Sequence, residues 1–236
     1  MEATLKMRTM IAGLLLALAC AAPSPAQEAP KYDMGKIQMI FLRRSPEWRA
    51  ADSSEKVLGE HRAAVEGLIK EGRLALSGEV SGDGDLREIM VIKTESTEEA
   101  RRAAAALPAV KAGMLKAEVL PWFAARNYIT PPQMPLTTTN YVFGLLVRGP
   151  KWTAEVTEET KKLQEGHMAN IRRLGEEGKL VLAGPFVDGG DRRGVFIFKV
   201  DTLEEARALT DTDPAVKAGR LKIELHRWAV PKGMLK

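Results

Sequence analysis

The sequence has little of what would hold an exported protein together covalently or bind a metal. It contains one cysteine and three histidines among 236 residues, and the histidines do not cluster, so we expect no disulfide in the folded part and no tightly bound metal. Aromatic residues make up only 6%. Lys and Arg outnumber Asp and Glu by 35 to 31 without forming a basic run, which argues against a nucleic-acid partner. No cofactor motif is present, and we expect no cofactor.

The N-terminus has the pattern of a secretory signal peptide over residues 1–26. Lys6 and Arg8 precede the apolar run MIAGLLLALACAA, and the small residues Ser24 and Ala26 place a cleavage site directly after them. The apolar run is too short for a spanning helix. We therefore expect an exported protein, periplasmic or secreted, whose mature form has no membrane partner.

Lipidation of Cys20 is the alternative interpretation of this segment, and it would leave the mature protein anchored to a membrane. A lipoprotein pattern places Leu three positions before the cysteine and a small residue two before. Here those positions hold Ala17 and Leu18, in the reverse order. The plain signal peptide is the favoured interpretation.

The rest of the chain is a tandem duplication. HRAAVEGLIKEGRLALSG, from His61, corresponds to HMANIRRLGEEGKLVLAG, from His167, and PAVKAG recurs letter for letter before a closing Trp in each copy. A repeat of this length predicts two copies of one fold. We place the first domain at residues 36–123 and the second at 140–230, joined by a linker rich in Pro and Thr at 124–139.

Each copy follows the order β-α-β-β-α-β, which is the ferredoxin-like arrangement of an α+β protein. Apolar residues at helical spacing precede Gly72 and Gly178, and Ser96 and Thr202 open second helices with predicted capping boxes. The strands IMVI and VFIF are apolar at consecutive positions, so both sheet faces must be covered. Because two helices cover only one face, we expect the sheets of the two copies to pack as an intramolecular dimeric α+β barrel. Exchange of copies between two chains, and further homo-oligomerisation, stay open.

The second copy resembles the YCII-related (YciI-like) domain family. The resemblance rests on the helix carrying His167, then EEGKLVLAGPF, a DGG turn, TLEEA, DPAVKAG and a closing Trp, in that order. It extends to the first copy with departures. It implies a ferredoxin-like subunit that pairs into a dimeric barrel, and a His-Asp pair that falls here on His167 and Asp213. It does not specify a reaction, although some members are linked to dehalogenating or related small-molecule chemistry.

His167 and Asp213 are therefore the candidate catalytic residues, with His167 as base and Asp213 orienting it. Each also has a structural interpretation, since His167 lies in an apolar helix stripe and Asp213 before Pro214 is a good helix N-cap. The first copy has Leu107 where the second has Asp213. We infer that the turn does not need the aspartate, and we expect His61 to lack an acidic partner, which makes the first copy a degenerate one.

Two further residues are candidates for binding a small-molecule ligand or substrate. Arg148 ends the first strand of the second copy and is suited to an anion, with a solvated strand end as its alternative interpretation. Phe186 in GPF is a candidate pocket wall, with core packing as its alternative. A non-catalytic barrel that binds a small ligand, or serves a structural role, is the alternative to an enzyme.

Overall fold

The computed structural model describes residues 32–46, 48, 54–188 and 190–236. The predicted signal peptide and Cys20 lie outside these residues. The strands are β1 (Met34–Arg44), β2 (Leu76–Ser81), β3 (Leu86–Ile92), β4 (Leu115–Ala125), β5 (Thr138–Arg148), β6 (Leu180–Pro185), β7 (Arg192–Phe198) and β8 (Leu221–Pro231). The helices are α1 (Ser54–Lys70), α2 (Thr97–Ala105), α3 (Pro108–Lys111), α4 (Glu158–Glu176), α5 (Leu203–Thr210) and α6 (Pro214–Lys217). Within the described part, no helix is long and apolar enough to cross a membrane.

All eight strands form one antiparallel sheet in the order β4-β1-β3-β2-β8-β5-β7-β6. Each half has the ferredoxin-like order of fourth, first, third and second strand, which confirms the predicted fold class for both copies. The halves join where β2 of the first copy pairs with β8 of the second. Both copies of one chain therefore contribute to the same sheet.

The two outer strands of this sheet meet, so the barrel is nearly closed. Trp122 of β4 forms an isolated bridge with Phe186, directly after β6. The closing Trp of each copy also donates its indole N–H to a glycine carbonyl of the other copy: Trp122 to Gly184 and Trp228 to Gly78, both at 3.0 Å. The glycines are required at these two contacts, since a Cβ on Gly184 would lie 2.1 Å from the Phe123 carbonyl oxygen. The two closing tryptophans therefore link the two copies.

The core continues from one copy into the other across the barrel interior. Phe41 of β1 and Phe143 of β5 contact each other edge to face with ring centroids 6.0 Å apart. Both closing tryptophans and both of these phenylalanines are among the largest fully buried side chains. The helices cover the outer face, which explains the consecutive apolar residues in β3 and β7.

The predicted capping boxes form only in part. Ser96 and Thr202 each accept a hydrogen bond from the backbone N–H three residues on, as predicted. The reciprocal bonds are absent from these two helix starts in the structure, because the Glu99 carboxylate accepts from Thr94 and the Glu205 carboxylate pairs with Lys179. A complete box instead opens α4, through Thr157 and Thr160.

Candidate functional site

Helix α4 presents one buried face to the sheet, and His167 lies on it. The buried residues of the helix are His167, Asn170 and Leu174, spaced by three and four positions, which places them on one side. The preceding residue, Gly166, allows close packing: a Cβ there would lie 2.9 Å from the Pro214 ring. The helix therefore approaches the start of α6, the element that carries Asp213.

Asp213 is the N-cap of α6 and uses its two carboxylate oxygens for different tasks. Oδ1 accepts a hydrogen bond from the backbone N–H of Ala215 at 2.9 Å, and Pro214 occupies the first helical position. Oδ2 lies 2.7 Å from Nδ1 of His167. Asp213 therefore caps α6 and contacts His167 at the same time, although the sequence analysis gave these two roles as alternatives.

The pair is deeply buried, and its charge state follows from its hydrogen bonds. Asp213 is 0% exposed. Burial raises the pKa of the Asp213 carboxyl. The hydrogen bond and charge of His167, together with the hydrogen bonds from the Ala215 N–H and Asn170, lower the pKa by more than burial raises it, so that the net shift is downward. Asp213 is therefore an ionised acceptor at neutral pH, and the Nδ1 atom facing it carries the proton.

A second layer of polar contacts fixes this arrangement. The Asn170 amide nitrogen lies 3.4 Å from Oδ2 of Asp213. Its carbonyl oxygen accepts from Arg173 at 2.8 Å, and the same arginine nitrogen donates to the Thr212 hydroxyl at 2.9 Å. The chain of contacts ties α4 to the turn before α6, and so holds the carboxylate in position.

The ring of His167 lines a cavity of about 350 Å³. It stacks on Phe196 with centroids 5.7 Å apart and an interplanar angle of 16°. Among the described residues Nε2 has no hydrogen-bond partner, and it is not fully buried. The apolar members of the lining are Met34, Leu146, Trp152, Met168, Ile171, Ala183, Pro185, Val195, Phe196, Ala215 and Leu221. Met34 comes from the first copy, so the cavity lies where the two copies meet.

The first copy contains a different pair at the equivalent helix position. His61 is buried, and its Nε2 atom lies 2.9 Å from Oε2 of Glu88 on β3. The other oxygen of Glu88 accepts from the Ser77 hydroxyl at 2.6 Å. Nδ1 of His61 is fully buried and has no partner within the described residues. These residues border a smaller cavity, of about 260 Å³.

The expectation that His61 lacks an acidic partner was therefore wrong. Leu107 replaces Asp213 at the turn and makes no side-chain cap, but Glu88 supplies a carboxylate from a strand. The second copy has Gly194 at the position of Glu88. A Cβ there would lie 2.7 Å from the Gly184 carbonyl oxygen, so β7 has no space for the acid and the turn provides it.

Arg148 and Phe186 do not line the cavity of His167. Arg148 is exposed, and its guanidinium lies 3.4 Å from the Asp191 carboxylate. Phe186 is buried against Phe41 of the first copy, with centroids 6.1 Å apart. Phe186 is a packing residue at the barrel seam, as its alternative interpretation held.

Two arginines that the sequence analysis did not single out line the cavity instead. They are Arg193 on β7 and Arg220, which precedes β8. A signal for Arg220 was present, because PAVKAG is followed by Arg in the second copy and by Met114 in the first. Among the described residues, no group of three or more His, Cys, Asp or Glu side chains is arranged to hold a metal.

Comparisons with known proteins agree with the duplicated architecture. The family model of the YCII-related domain matches twice, over residues 38–123 and 145–229. The uncharacterized protein YjpA of Bacillus subtilis (strain 168) is 31% identical over 81 residues, which is 33% of this chain and 93% of that protein.

Solved structures with the same fold span both copies. A chlorite dismutase variant from Candidatus Nitrospira defluvii has a TM-score of 0.55 at 11% identity, covering 85% of this chain and 92% of its own. A heme-binding protein from Thermus thermophilus has a TM-score of 0.51 at 14% identity, with coverages of 85% and 92%. At these identities the likeness concerns the dimeric α+β barrel fold alone.

Proposed function

The chain belongs to the YCII-related domain family, and we propose that its second domain is an acid-base catalyst acting on a small organic molecule. His167 is the base, through Nε2, and Asp213 is the positioning residue that holds the ring. The observation that carries this proposal is the 2.7 Å contact between Nδ1 of His167 and the buried Asp213 carboxylate, at the wall of a cavity. The first domain serves as the structural partner that completes the barrel.

The chemistry follows from the tautomer. An ionised Asp213 keeps the proton on Nδ1, so a neutral His167 ring has its lone pair on Nε2. When Nε2 removes a proton from a bound substrate, the imidazolium that forms is stabilised by the adjacent carboxylate. The cavity, at about 350 Å³, lies within the range of about 300–1,000 Å³ that is usual for small-molecule sites.

Proton abstraction can be tested by deuterium exchange. The protein, in D₂O, is mixed with small ketones and 2-keto acids, among them phenylpyruvate and its neutral analogue phenylacetone, and loss of the acidic C–H signal is followed by NMR. We expect exchange above the buffer rate for at least one compound. We expect that rate to fall to the buffer rate in His167→Ala and to persist in His61→Ala, the matched variant of the first copy.

A barrel that binds ligands without turnover is the second candidate, and the mostly apolar cavity lining favours it. Under this alternative, compounds bind, but exchange stays at the buffer rate across the panel. Exchange that is equal in the parent protein and in His167→Ala would also contradict the catalytic proposal. Variants that retain the parent melting temperature make either result interpretable.

Haem calls for a separate test because a structural relative is described as heme-binding. In favour of haem, an imidazole with a carboxylate on one nitrogen is a common axial-ligand arrangement. Against it, a cavity of about 350 Å³ is at the lower end of the range for small ligands, and a porphyrin is larger than such ligands. The volume of this cavity therefore does not fit haem. An absorption spectrum recorded after haem addition checks this directly.

We also propose, from residues 1–26, that the protein is exported. Mass spectrometry of the protein from the periplasm or medium would show whether the mature chain begins after Ala26 or at a lipidated Cys20.

A further inference from the structure

Trp152, at the rim of the His167 cavity, is surrounded by three arginines. The guanidinium carbons of Arg193, Arg220 and Arg148 lie 4.3, 4.5 and 5.4 Å from its ring centroid. A guanidinium held against an indole face is attracted by the ring and loses part of its freedom. The indole therefore positions cationic groups beside the cavity before any ligand arrives.

Two of these three arginines face the cavity without a balancing charge. Arg148 lies beside the Asp191 carboxylate and outside the cavity lining. Arg193 and Arg220 line the cavity, and in the described part of the chain neither has an ion-pair partner within 4.0 Å or a side-chain hydrogen bond. Their donors are thus available to a ligand, together with the open Nε2 of His167.

The arginines also repel one another. Burial, followed by the charges of Arg148 and Arg220, lowers the pKa of the Arg193 guanidinium. Like charges brought this close, in a partly buried place, destabilise the folded protein unless an anion neutralises them. The planar fork of a guanidinium matches the two oxygens of a carboxylate.

We propose that Arg193 and Arg220, held against Trp152, bind the carboxylate of a small organic acid whose apolar body fills the cavity toward His167. The remaining lining is mostly apolar, which suits an aliphatic or aromatic body and not a sugar or a polyanion. This inference deepens the proposed function by naming the substrate class, and its catalytic consequence rests on that function. The binding claim can be tested independently.

The first copy shows what the same scaffold looks like without this site. The equivalent of Trp152 is Trp48, and only Arg44 is stacked on it among the described residues, at 4.6 Å. The guanidinium of Arg87, equivalent to Arg193, donates to the backbone carbonyls of Gly84 and Leu86. Met114 takes the place of Arg220. Two neighbouring arginines without an ion-pair partner in the described part of the chain are therefore a feature of the second copy, which is also the copy with Asp213.

The test compares the binding of phenylpyruvate, neutral phenylacetone and inorganic phosphate by calorimetry. We expect phenylpyruvate to bind at least about tenfold more tightly than phenylacetone, because it alone offers a carboxylate to the charge-assisted hydrogen bonds. Arg220→Met, which installs the residue of the first copy, should remove that preference. Arg44→Met, which removes the arginine from Trp48, should leave it intact. His167→Ala should keep most of the affinity.

Loss of binding through unfolding is excluded by the melting temperature. Arg220→Met removes a like charge, so in anion-free buffer it should melt at the parent temperature or higher, and phenylpyruvate should raise the melting temperature of the parent only. Equal phenylpyruvate affinity in parent and Arg220→Met would overturn the proposal. Phosphate binding more tightly than the carboxylate would overturn the assigned class.

The binding and exchange experiments can overturn the binding site and the proposed catalysis independently of each other. A carboxylate preference that depends on Arg220, without exchange that depends on His167, would overturn the proposed catalysis and leave the binding site. Exchange of phenylpyruvate, below saturation, that depends on His167 but is insensitive to Arg220→Met would do the reverse.

Discussion

The two copies hold equivalent histidines by opposite ring nitrogens. In the second copy the carboxylate of Asp213 binds Nδ1 of His167, and Nε2 is left beside a cavity. In the first copy the carboxylate of Glu88 binds Nε2 of His61, and Nδ1 is buried without a described partner. Keeping the histidine and moving the acid therefore leaves a ring nitrogen open to a ligand in the second copy, while the unpaired nitrogen of His61 is buried.

Under the proposed function, this difference separates a pair that acts on a ligand from one that has a structural role. Both pairs are buried and both are close, so burial and distance do not distinguish them. What distinguishes them is the free nitrogen and its surroundings: the second copy adds Arg193, Arg220 and the larger cavity. The duplicated scaffold thus provides an internal control for each claim about the site.

The largest expected effect comes from giving the second copy the residue that the first has at the turn. Asp213→Leu removes the acceptor for Nδ1, so the ring loses its fixed tautomer and its charge partner. We expect His167-dependent exchange to fall by about 100-fold or more. Glu88→Leu, which removes the acid of the first copy, should leave the exchange rate per folded molecule within about twofold. Equal losses from the two changes would contradict the division of roles.

The next effect is on stability and concerns the first copy. Glu88→Ala leaves the His61 ring and the Ser77 hydroxyl buried without their shared acceptor. We expect the free energy of unfolding to fall by about 3 kcal/mol, measured by urea denaturation. A loss below about 1 kcal/mol would show that the pair contributes little to folding.

A double change tests whether the acid can be moved back to the turn. Leu107→Asp alone should destabilise the protein, because it buries a second carboxylate near one already paired with His61. Combined with Glu88→Ala, it should cost less than the sum of the single changes, with a coupling of about 1–2 kcal/mol. Additive losses would mean that the first copy cannot adopt the geometry of the second.

A smaller effect is expected on the free energy of unfolding at acidic pH. Because the pKa of Asp213 is lowered in the folded protein, its contribution to stability is complete above the ordinary value of 3.8 and is lost as the pH falls through the lower folded value. Asp213→Asn removes this contribution, so its free energy of unfolding should fall less steeply than that of the parent below about pH 4. Parallel curves, from urea denaturation at several pH values, would contradict the charge state assigned to Asp213.

Features that depend on periodicity or on the repeat could be predicted from the sequence. The strand order followed from the β-α-β-β-α-β pattern, and the covered second face followed from IMVI and VFIF. The His167–Asp213 contact was predicted from the resemblance, and the exchange of Asp213 for Leu107 drew attention to it. These inferences needed only local patterns and a comparison of the copies.

The features that could not be predicted from the sequence depend on contacts between residues that are far apart in the chain. Glu88 begins an apolar strand segment, and nothing local shows that β3 brings it to His61. Arg193 is one of two half-buried arginines that open β7, and its meeting with Arg220 at Trp152 appears only once β7 and β8 are placed. Phe186 is a candidate pocket wall from the sequence alone. Its packing role could not be predicted because it is buried by residues of the first copy, Phe41 and Trp122, which are far away in sequence.

The tautomers of the histidines test the central claim most directly. Long-range ¹H–¹⁵N correlation spectra of protein labelled with ¹⁵N-histidine, recorded near pH 7.5, report which ring nitrogen carries the proton. We predict that His167 is protonated on Nδ1 with a free lone pair on Nε2, and that His61 is protonated on Nε2. A proton on Nε2 of His167, or the same tautomer in both copies, would contradict the account.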